Sequence, residues 1–139
     1  MLDQRKRIVL IDDHAVVRQG LERLLNLGDE FVVCEEAGNA EEGIEMVREM
    51  QPDAVVVDIE LPGADGIELT RSLLTEFPHL IVIALSAHEE PELAIQAMNA
   101  GAMAYVIKSE GIDALLGALR NAFNRKRSFA VLEKFGRIV

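Results

Sequence analysis

Short apolar runs rich in Val and Ile alternate with longer amphipathic stretches along the chain. The runs are Arg7 to Ile11, Phe31 to Ala37, Ala54 to Asp58, Leu80 to Ser86 and Ala104 to Ile107, with the length and composition of buried strands. After each, apolar residues recur at helical spacing. Val17, Leu21, Leu24 and Leu25 form a first stripe, closed by Gly28 as a C-cap, and Ile44, Val47 and Met50 form a second that stops before Pro52. Ile67, Thr70, Leu73, Leu74 and Phe77 make a third, halted by Pro78. Pro91 opens a fourth at its N1 position, running to Gly101, and Ile112, Leu115, Leu116, Leu119 and Phe123 line a fifth.

The pattern predicts an α/β chain of five strand–helix units. Strands this apolar need cover on both faces, and strand–crossover–strand connections are right-handed, so the units form a (βα)5 doubly wound parallel five-stranded sheet with helices on both sides. An eight-unit barrel does not fit in 139 residues. In open sheets of this kind ligands bind beyond the carboxyl ends of the strands, near the point where the strand order reverses. Those ends carry the chemistry: Asp12-Asp13-His14 after the first strand, Asp58 after the third, Ser86 after the fourth and Lys108 after the fifth. Carboxylates gathered in one crevice repel one another unless a cation joins them, and a small set of hard oxygen donors suits Mg²⁺, which keeps several of its waters. Lys108 would either neutralise an acid or, with the Ser86 hydroxyl, hold a phosphoryl group carried on one of them. A carboxylate between Mg²⁺ and an ammonium is a sensible phosphoryl acceptor, because that transfer depends chiefly on positioning and charge neutralisation.

Composition narrows the partners. The chain is 50% hydrophobic but only 4% aromatic with no Trp, so its core is aliphatic and it offers no indole for stacking on bases. A formal charge of −10 disfavours binding of nucleic-acid backbone by this chain. The charge is uneven: residues 8–117 hold 22 acids and five bases, with Lys108 the only lysine among them, whereas residues 118–139 hold six bases and one acid. The lone Cys34 rules out an intrachain disulfide and fits a reducing cytoplasm. The charged N-terminus, followed by only four apolar residues, does not read as a signal peptide, and no run approaches the roughly 20 apolar residues of a membrane span. Residues 1–6 read as an N-terminal tail, 7–124 as one domain, and 125–139 as a linker or C-terminal tail without a partner in the repeat.

Blander uses exist for each residue. Asp12 or Asp13 alone can cap the first helix, Asp58 can close an Asx turn before Pro62-Gly63, and Lys108 can be a solvated lysine. Tyr105 can be a packed ring with a wet hydroxyl, His14, His79 and His88 read as surface residues, and Asn124-Arg125-Lys126-Arg127 reads as a solvated helix end. None of these uses explains the acids, hydroxyl and ammonium together.

Taken with Ile8-Val9-Leu10-Ile11 before Asp12, Val57-Asp58-Ile59-Glu60-Leu61-Pro62-Gly63 and Asp65-Gly66, Leu85-Ser86-Ala87, Gly101-Ala102 and Tyr105-Val106-Ile107-Lys108, the chain resembles the receiver domain of two-component response regulators. The Asp-Asp-His start and the Val-Val-Arg-Gln-Gly-Leu stretch are most similar to the NarL/FixJ/LuxR branch. The resemblance implies a CheY-like, flavodoxin-like sheet of strand order 2-1-3-4-5. It implies that Asp58 accepts a phosphoryl group from a sensor histidine kinase. Asp13, Asp58 and the backbone carbonyl of Glu60 would ligate Mg²⁺, Asp12 would act through a bound water, and Ser86 and Lys108 would hold the phosphoryl oxygens. Tyr105 would swing inward as Ser86 moves, changing dimerisation or output. A DNA-binding helix-turn-helix domain would follow in the full-length protein, and the Lys108–Ser109 bond matches a position that is often cis in the family. Glu60, Leu61 and Ser86 depart from the commonest family residues, and the Glu60 side chain is placed to tune dephosphorylation. The chain would be a phosphoacceptor that assists its own reactions rather than a conventional enzyme.

Competing readings are a Mg²⁺-dependent phosphatase with an aspartate nucleophile, a flavodoxin, a pseudo-receiver scaffold, and a stand-alone single-domain regulator. The phosphatase would want Asp-x-Asp after the first strand, and a flavodoxin a Ser/Thr/Gly-rich phosphate loop where this chain has two aspartates.

Overall fold

A computed structural model describes residues 4–133. Expectations for residues 1–3 and 134–139 of the two tails lie outside the described residues. The strands are β1 (Lys6–Ile11), β2 (Phe31–Ala37), β3 (Ala54–Asp58), β4 (Ile81–Ser86) and β5 (Ala104–Ile107). They alternate with α1 (Ala15–Asn26), α2 (Ala40–Met50), α3 (Gly66–Glu76), α4 (Pro91–Asn99) and α5 (Ile112–Phe123), and a short α6 (Ala130–Glu133) follows. Every strand pair is parallel and the order is β2-β1-β3-β4-β5, the expected sheet.

Alternation along the strands divides the core. Ile8, Leu10, Ala54, Val56, Ile83, Leu85, Ala104 and Val106 face Leu25 of α1 and Leu115 and Leu119 of α5. The intervening positions, Val9, Ile11, Val55, Val57 and Val82, face Val47 of α2 and Leu69 and Leu73 of α3, while Ala84, Tyr105 and Ile107 meet α4 and α6. Both faces are therefore dry, which is why the strand sequences read as continuous apolar runs.

Helix ends follow local chemistry with small departures. Asn39 caps α2 by accepting from Glu42 N, and Asp65 caps α3 by accepting from Ile67 N. The first helix stops at Asn26 with Leu27 as its C-cap, so Gly28 lies one residue beyond the expected position. The fourth ends at Asn99, and Gly101 beyond it adopts φ +106°. Gly66 has a packing role: a Cβ there would lie 2.3 Å from Ile59 Cα and 2.5 Å from the Asp58 carbonyl oxygen. Only glycine lets α3 start this close to the end of β3, where Asp58 stands.

Two details complete the fold around β5. There is no cis peptide among the described residues, so Lys108–Ser109 is trans; it lies in the 3₁₀ turn Lys108–Glu110, and serine lacks the imide that lowers proline's cis cost. The segment after α5 adds no unit to the repeat but packs on it: Ser128 bridges to Ala104, and Phe129, Val131 and Leu132 are buried against α4 and β5.

Candidate functional site

The carboxyl ends of β1, β3, β4 and β5 bring the expected residues together. Asp12, Asp58 and Ser86 are buried at 2%, 0% and 0% exposure. Asp58 pairs in register with Leu85 and Ser86 with Ile107, so parallel pairing alone sets the acid, the hydroxyl and Lys108 on one rim. Lys108 Nζ lies 2.9 Å from Asp58 Oδ2 and 3.2 Å from Asp12 Oδ2, a shared ion pair. Burial pulls the Lys108 ammonium down, but the hydrogen bond to Asp58 and the Asp12 charge more than offset this, and its pKa is raised overall.

Each buried acid also has a backbone donor. His14 N donates to Asp12 Oδ1 at 2.8 Å and Glu60 N donates to Asp58 Oδ1 at 2.9 Å. The Asx turn suggested for Asp58 is therefore real, yet it uses one oxygen and leaves the other for Lys108. Helix capping does not occupy Asp12 or Asp13, because the N-cap of α1 is His14 and it makes no side-chain cap bond. Asp12 Oδ2 meets the Lys108 ammonium at 3.2 Å and Asp13 Oδ1 the His14 ring at 3.3 Å, but neither buried oxygen accepts a well-aligned hydrogen bond. Buried carboxylate oxygens without donors are costly unless a cation approaches them. One ligand atom from each of Asp12, Asp13, His14 and Asp58 lies within 4.8 Å of the others, a donor set that can hold a metal ion.

Two histidines read as surface residues belong to this rim. His14 is half exposed, but its Nδ1 lies 3.0, 3.3 and 3.7 Å from oxygens of Asp12, Asp13 and Asp58. His88 N donates to Ser86 Oγ at 2.9 Å, and its carbonyl accepts from the Tyr105 hydroxyl at 2.7 Å. Its ring joins Glu60 at 2.7 Å and Glu90 at 3.5 Å, and the hydrogen bond to Glu60 raises its pKa. The available signal was position: each follows a strand-end site residue by one or two places. Spacing between histidines could not reveal it.

Tyr105 was expected to move inward on activation, and here it is already buried, at 3% exposure. Burial pushes its hydroxyl pKa up, with Ser86 opposing. By contrast His79 joins no part of the rim among the described contacts, and Arg125 to Arg127 are exposed as the solvated-end reading has it.

The chain is similar to known proteins in sequence and in fold. The family model described as the Response regulator receiver domain matches residues 8–120. Response regulator GacA of Pseudomonas viridiflava is 36% identical over 121 residues, 87% of this chain and 56% of the relative. DNA-binding transcriptional activator DevR/DosR of Mycobacterium tuberculosis is 36% identical over 134 residues, 92% of this chain and 62% of the relative. A LuxR-family two-component response regulator from Aurantimonas sp. SI85-9A1 superposes with a TM-score of 0.86 at 35% identity, covering 90% of this chain and 89% of that one. The chain spans about half the length of the curated relatives it matches. No helix among the described residues is long and apolar enough to cross a membrane. Sheet order, the acid rim with its lysine and these similarities agree, and the chain belongs to the receiver domains of two-component response regulators, on the side of the LuxR/NarL-type regulators.

Proposed function

We propose that Asp58 is the phosphoacceptor of a phosphorelay, taking a phosphoryl group from a phosphohistidine of a sensor kinase. The observation that carries this reading is the environment of Asp58: a fully buried carboxylate with one oxygen on Glu60 N and the other on Lys108, beside the carboxylates of Asp12 and Asp13, each with a buried oxygen that accepts no well-aligned hydrogen bond. The hard oxygens fit Mg²⁺, which Asp13, Asp58 and the Glu60 carbonyl would hold, with Asp12 acting through water. Bound there, the cation supplies charge neutralisation as the phosphoryl group approaches the carboxylates.

The chain's own residues divide the work. An Asp58 oxygen forms the new P–O bond as the P–N bond to the donor histidine breaks, and the electron pair stays with that imidazole. Lys108, already on Asp58, turns to the incoming oxygens, and the Ser86 hydroxyl offers a hydrogen bond on the other side. Residue Tyr105, bonded to the loop that carries Ser86, couples this event to the α4 and β5 surface. The output is a change in self-association, and in the full-length protein transcriptional control through a C-terminal helix-turn-helix domain. The DNA-binding name of a relative supports that output. Localisation in the cytoplasm follows from the kinase partner and the free thiol of Cys34. An aspartate-nucleophile phosphatase is less well supported, since the first strand ends in Asp12-Asp13-His14 where that reading wants Asp-x-Asp.

The test is incubation with acetyl phosphate and Mg²⁺ followed by mass analysis of wild type and Asp58→Asn. Wild type should gain one phosphoryl group, mapped to Asp58, and the variant none. A wild type that stays unlabelled, or a variant labelled equally at the same peptide, overturns the reading.

A further inference from the structure

Beyond α5 the chain returns to the open edge of the sheet. Ser128 forms an isolated parallel bridge with Ala104; its N–H donates to the Met103 carbonyl at 2.9 Å, and Tyr105 N donates to the Ser128 carbonyl at 3.1 Å. The edge of β5 thus gains one rung of extra strand. Immediately afterwards Phe129, Val131 and Leu132, at 3%, 3% and 1% exposure, pack in one cluster with Tyr105, Ala94 and Ala97. The repeat of five units does not need this segment to complete its sheet.

Tyr105 is consequently held from three sides. Its hydroxyl donates to the His88 carbonyl, its backbone N–H donates to Ser128, and its ring lies in the cluster that Phe129, Val131 and Leu132 close. The His88 N–H in turn donates to Ser86 Oγ. A continuous chain of contacts therefore runs from the hydroxyl of the candidate phosphosite to the C-terminal segment, with Tyr105 in its middle.

We propose that Ser128–Leu132 is a clasp seated on the face formed by α4 and β5, and that it acts as a positioning element for the Asp58 site by holding Tyr105 in its buried place. The second half of this rests on Asp58 being the phosphoacceptor. Coupling between two sites is reciprocal, so whatever the clasp contributes to phosphoryl binding, the bound phosphoryl group returns to the clasp. Phosphorylation then tightens this segment rather than freeing it. A partner that uses the α4 and β5 face must first displace the clasp.

The sequence supplies its own probe, since Tyr105 is the chain's only tyrosine and there is no tryptophan. Intrinsic fluorescence therefore reports this ring, and acrylamide quenching reports its enclosure. In Phe129→Ala/Leu132→Ala, with folding checked by circular dichroism, the quenching constant should rise at least about twofold, and acetyl phosphate labelling of Asp58 should slow by about fivefold or more. In wild type, hydrogen exchange at the Tyr105 and Ser128 amides should slow when fluoroberyllate and Mg²⁺ are added. Unchanged quenching in a folded variant overturns the clasp, and raised quenching with unchanged labelling overturns its coupling to Asp58. Faster exchange at those amides with fluoroberyllate overturns the direction, and that measurement needs no variant. Absence of any labelling in wild type instead overturns the phosphoacceptor reading, while the quenching comparison still decides whether the clasp holds Tyr105.

Discussion

Replacing Lys108 with methionine removes the ammonium and keeps most of the stem. In the folded protein that ammonium lies 2.9 Å from one oxygen of Asp58 and 3.2 Å from one of Asp12, both acids being essentially inaccessible to solvent. With an effective dielectric constant near 20, the gross attractions are about 6 and about 5 kcal/mol. Desolvation of three charged groups cancels much of this, and losing one partner of a buried pair costs about 3–5 kcal/mol because the remaining charge is stranded. The Lys108 side chain keeps 18% exposure, which favours the lower end of that range. The expected loss in Mg²⁺-free buffer is therefore about 3 kcal/mol, or a urea midpoint lower by about 1.5 M for a slope near 2 kcal/mol/M. The second half of the prediction concerns the cation. On the proposed reading the ammonium and Mg²⁺ compete for the same carboxylates in wild type, whereas in Lys108→Met the acids keep only the half-exposed His14 ring within 4 Å among the described residues. Saturating Mg²⁺ should then stabilise the variant by at least about 1 kcal/mol more than wild type. Urea titrations with EDTA and with Mg²⁺ measure both quantities. A loss below about 1 kcal/mol without Mg²⁺, or equal Mg²⁺ responses, would refute the charge balance described for this rim.

Two further outcomes follow from other contacts. Glu36 has its pKa raised to about 7 by burial and by neighbouring Glu22, against the pull of Arg18. Because the folded protein holds this proton more tightly than the unfolded chain, stability falls as pH rises from about 4.5 towards 7 and the penalty is complete above that window. After discounting for solvent screening, Glu36→Gln should gain about 1 kcal/mol at pH 8, a few degrees in Tm, and nothing at pH 4, as melting curves will show; a gain independent of pH would count against this cause. The ring of His88 closes on the Glu60 carboxylate beside the phosphosite. Glu60→Ala and His88→Ala should therefore each change the lifetime of phosphorylated Asp58 in the same direction, and the double variant should match the singles instead of adding them. Decay followed by mass analysis at identical rates in all four proteins rejects a role for this pair.

The strands and the residues at their ends were legible because both faces of a parallel sheet are buried, so strand sequences carry apolar runs that stop where polar side chains gather at the carboxyl rim. Asp58 and Ser86 are the clearest cases: each ends such a run, and parallel register then makes them neighbours. His14 and His88 are exposed as the sequence reading has it, and their contacts with the rim are what the sequence did not show. Their partners are in part distant in sequence, Asp58 for His14 and Glu60 and Tyr105 for His88, and a histidine on a loop has the same sequence whether it faces solvent or a carboxylate. The clasp was hidden by length. Phe129, Val131 and Leu132 make no helical stripe, one rung of pairing leaves no strand pattern, and their burial is tertiary.

The place of Tyr105 bears on what phosphorylation has left to change. A ligand shifts an equilibrium only by its differential affinity for the two states, so a tyrosine that swings in only with phosphate would make that swing the main response. Here the ring is already enclosed, its hydroxyl is bonded to the His88 carbonyl, and three apolar side chains beyond α5 help to close the cluster. With Asp58 as the proposed phosphoacceptor, the remaining freedom lies in Lys108, which would exchange an Asp58 oxygen for a phosphoryl oxygen, and in the Ser86 hydroxyl, which now accepts from His88 N. Drawing Ser86 towards a phosphoryl group pulls on the His88 loop, and that loop is tied to Tyr105. The segment Ser128–Leu132 receives the pull directly through the Tyr105 N–H. A receiver arranged in this way transmits its state as a change in the tightness of a preformed contact, so hydrogen exchange and partner affinity should register phosphorylation more strongly than any change of backbone path.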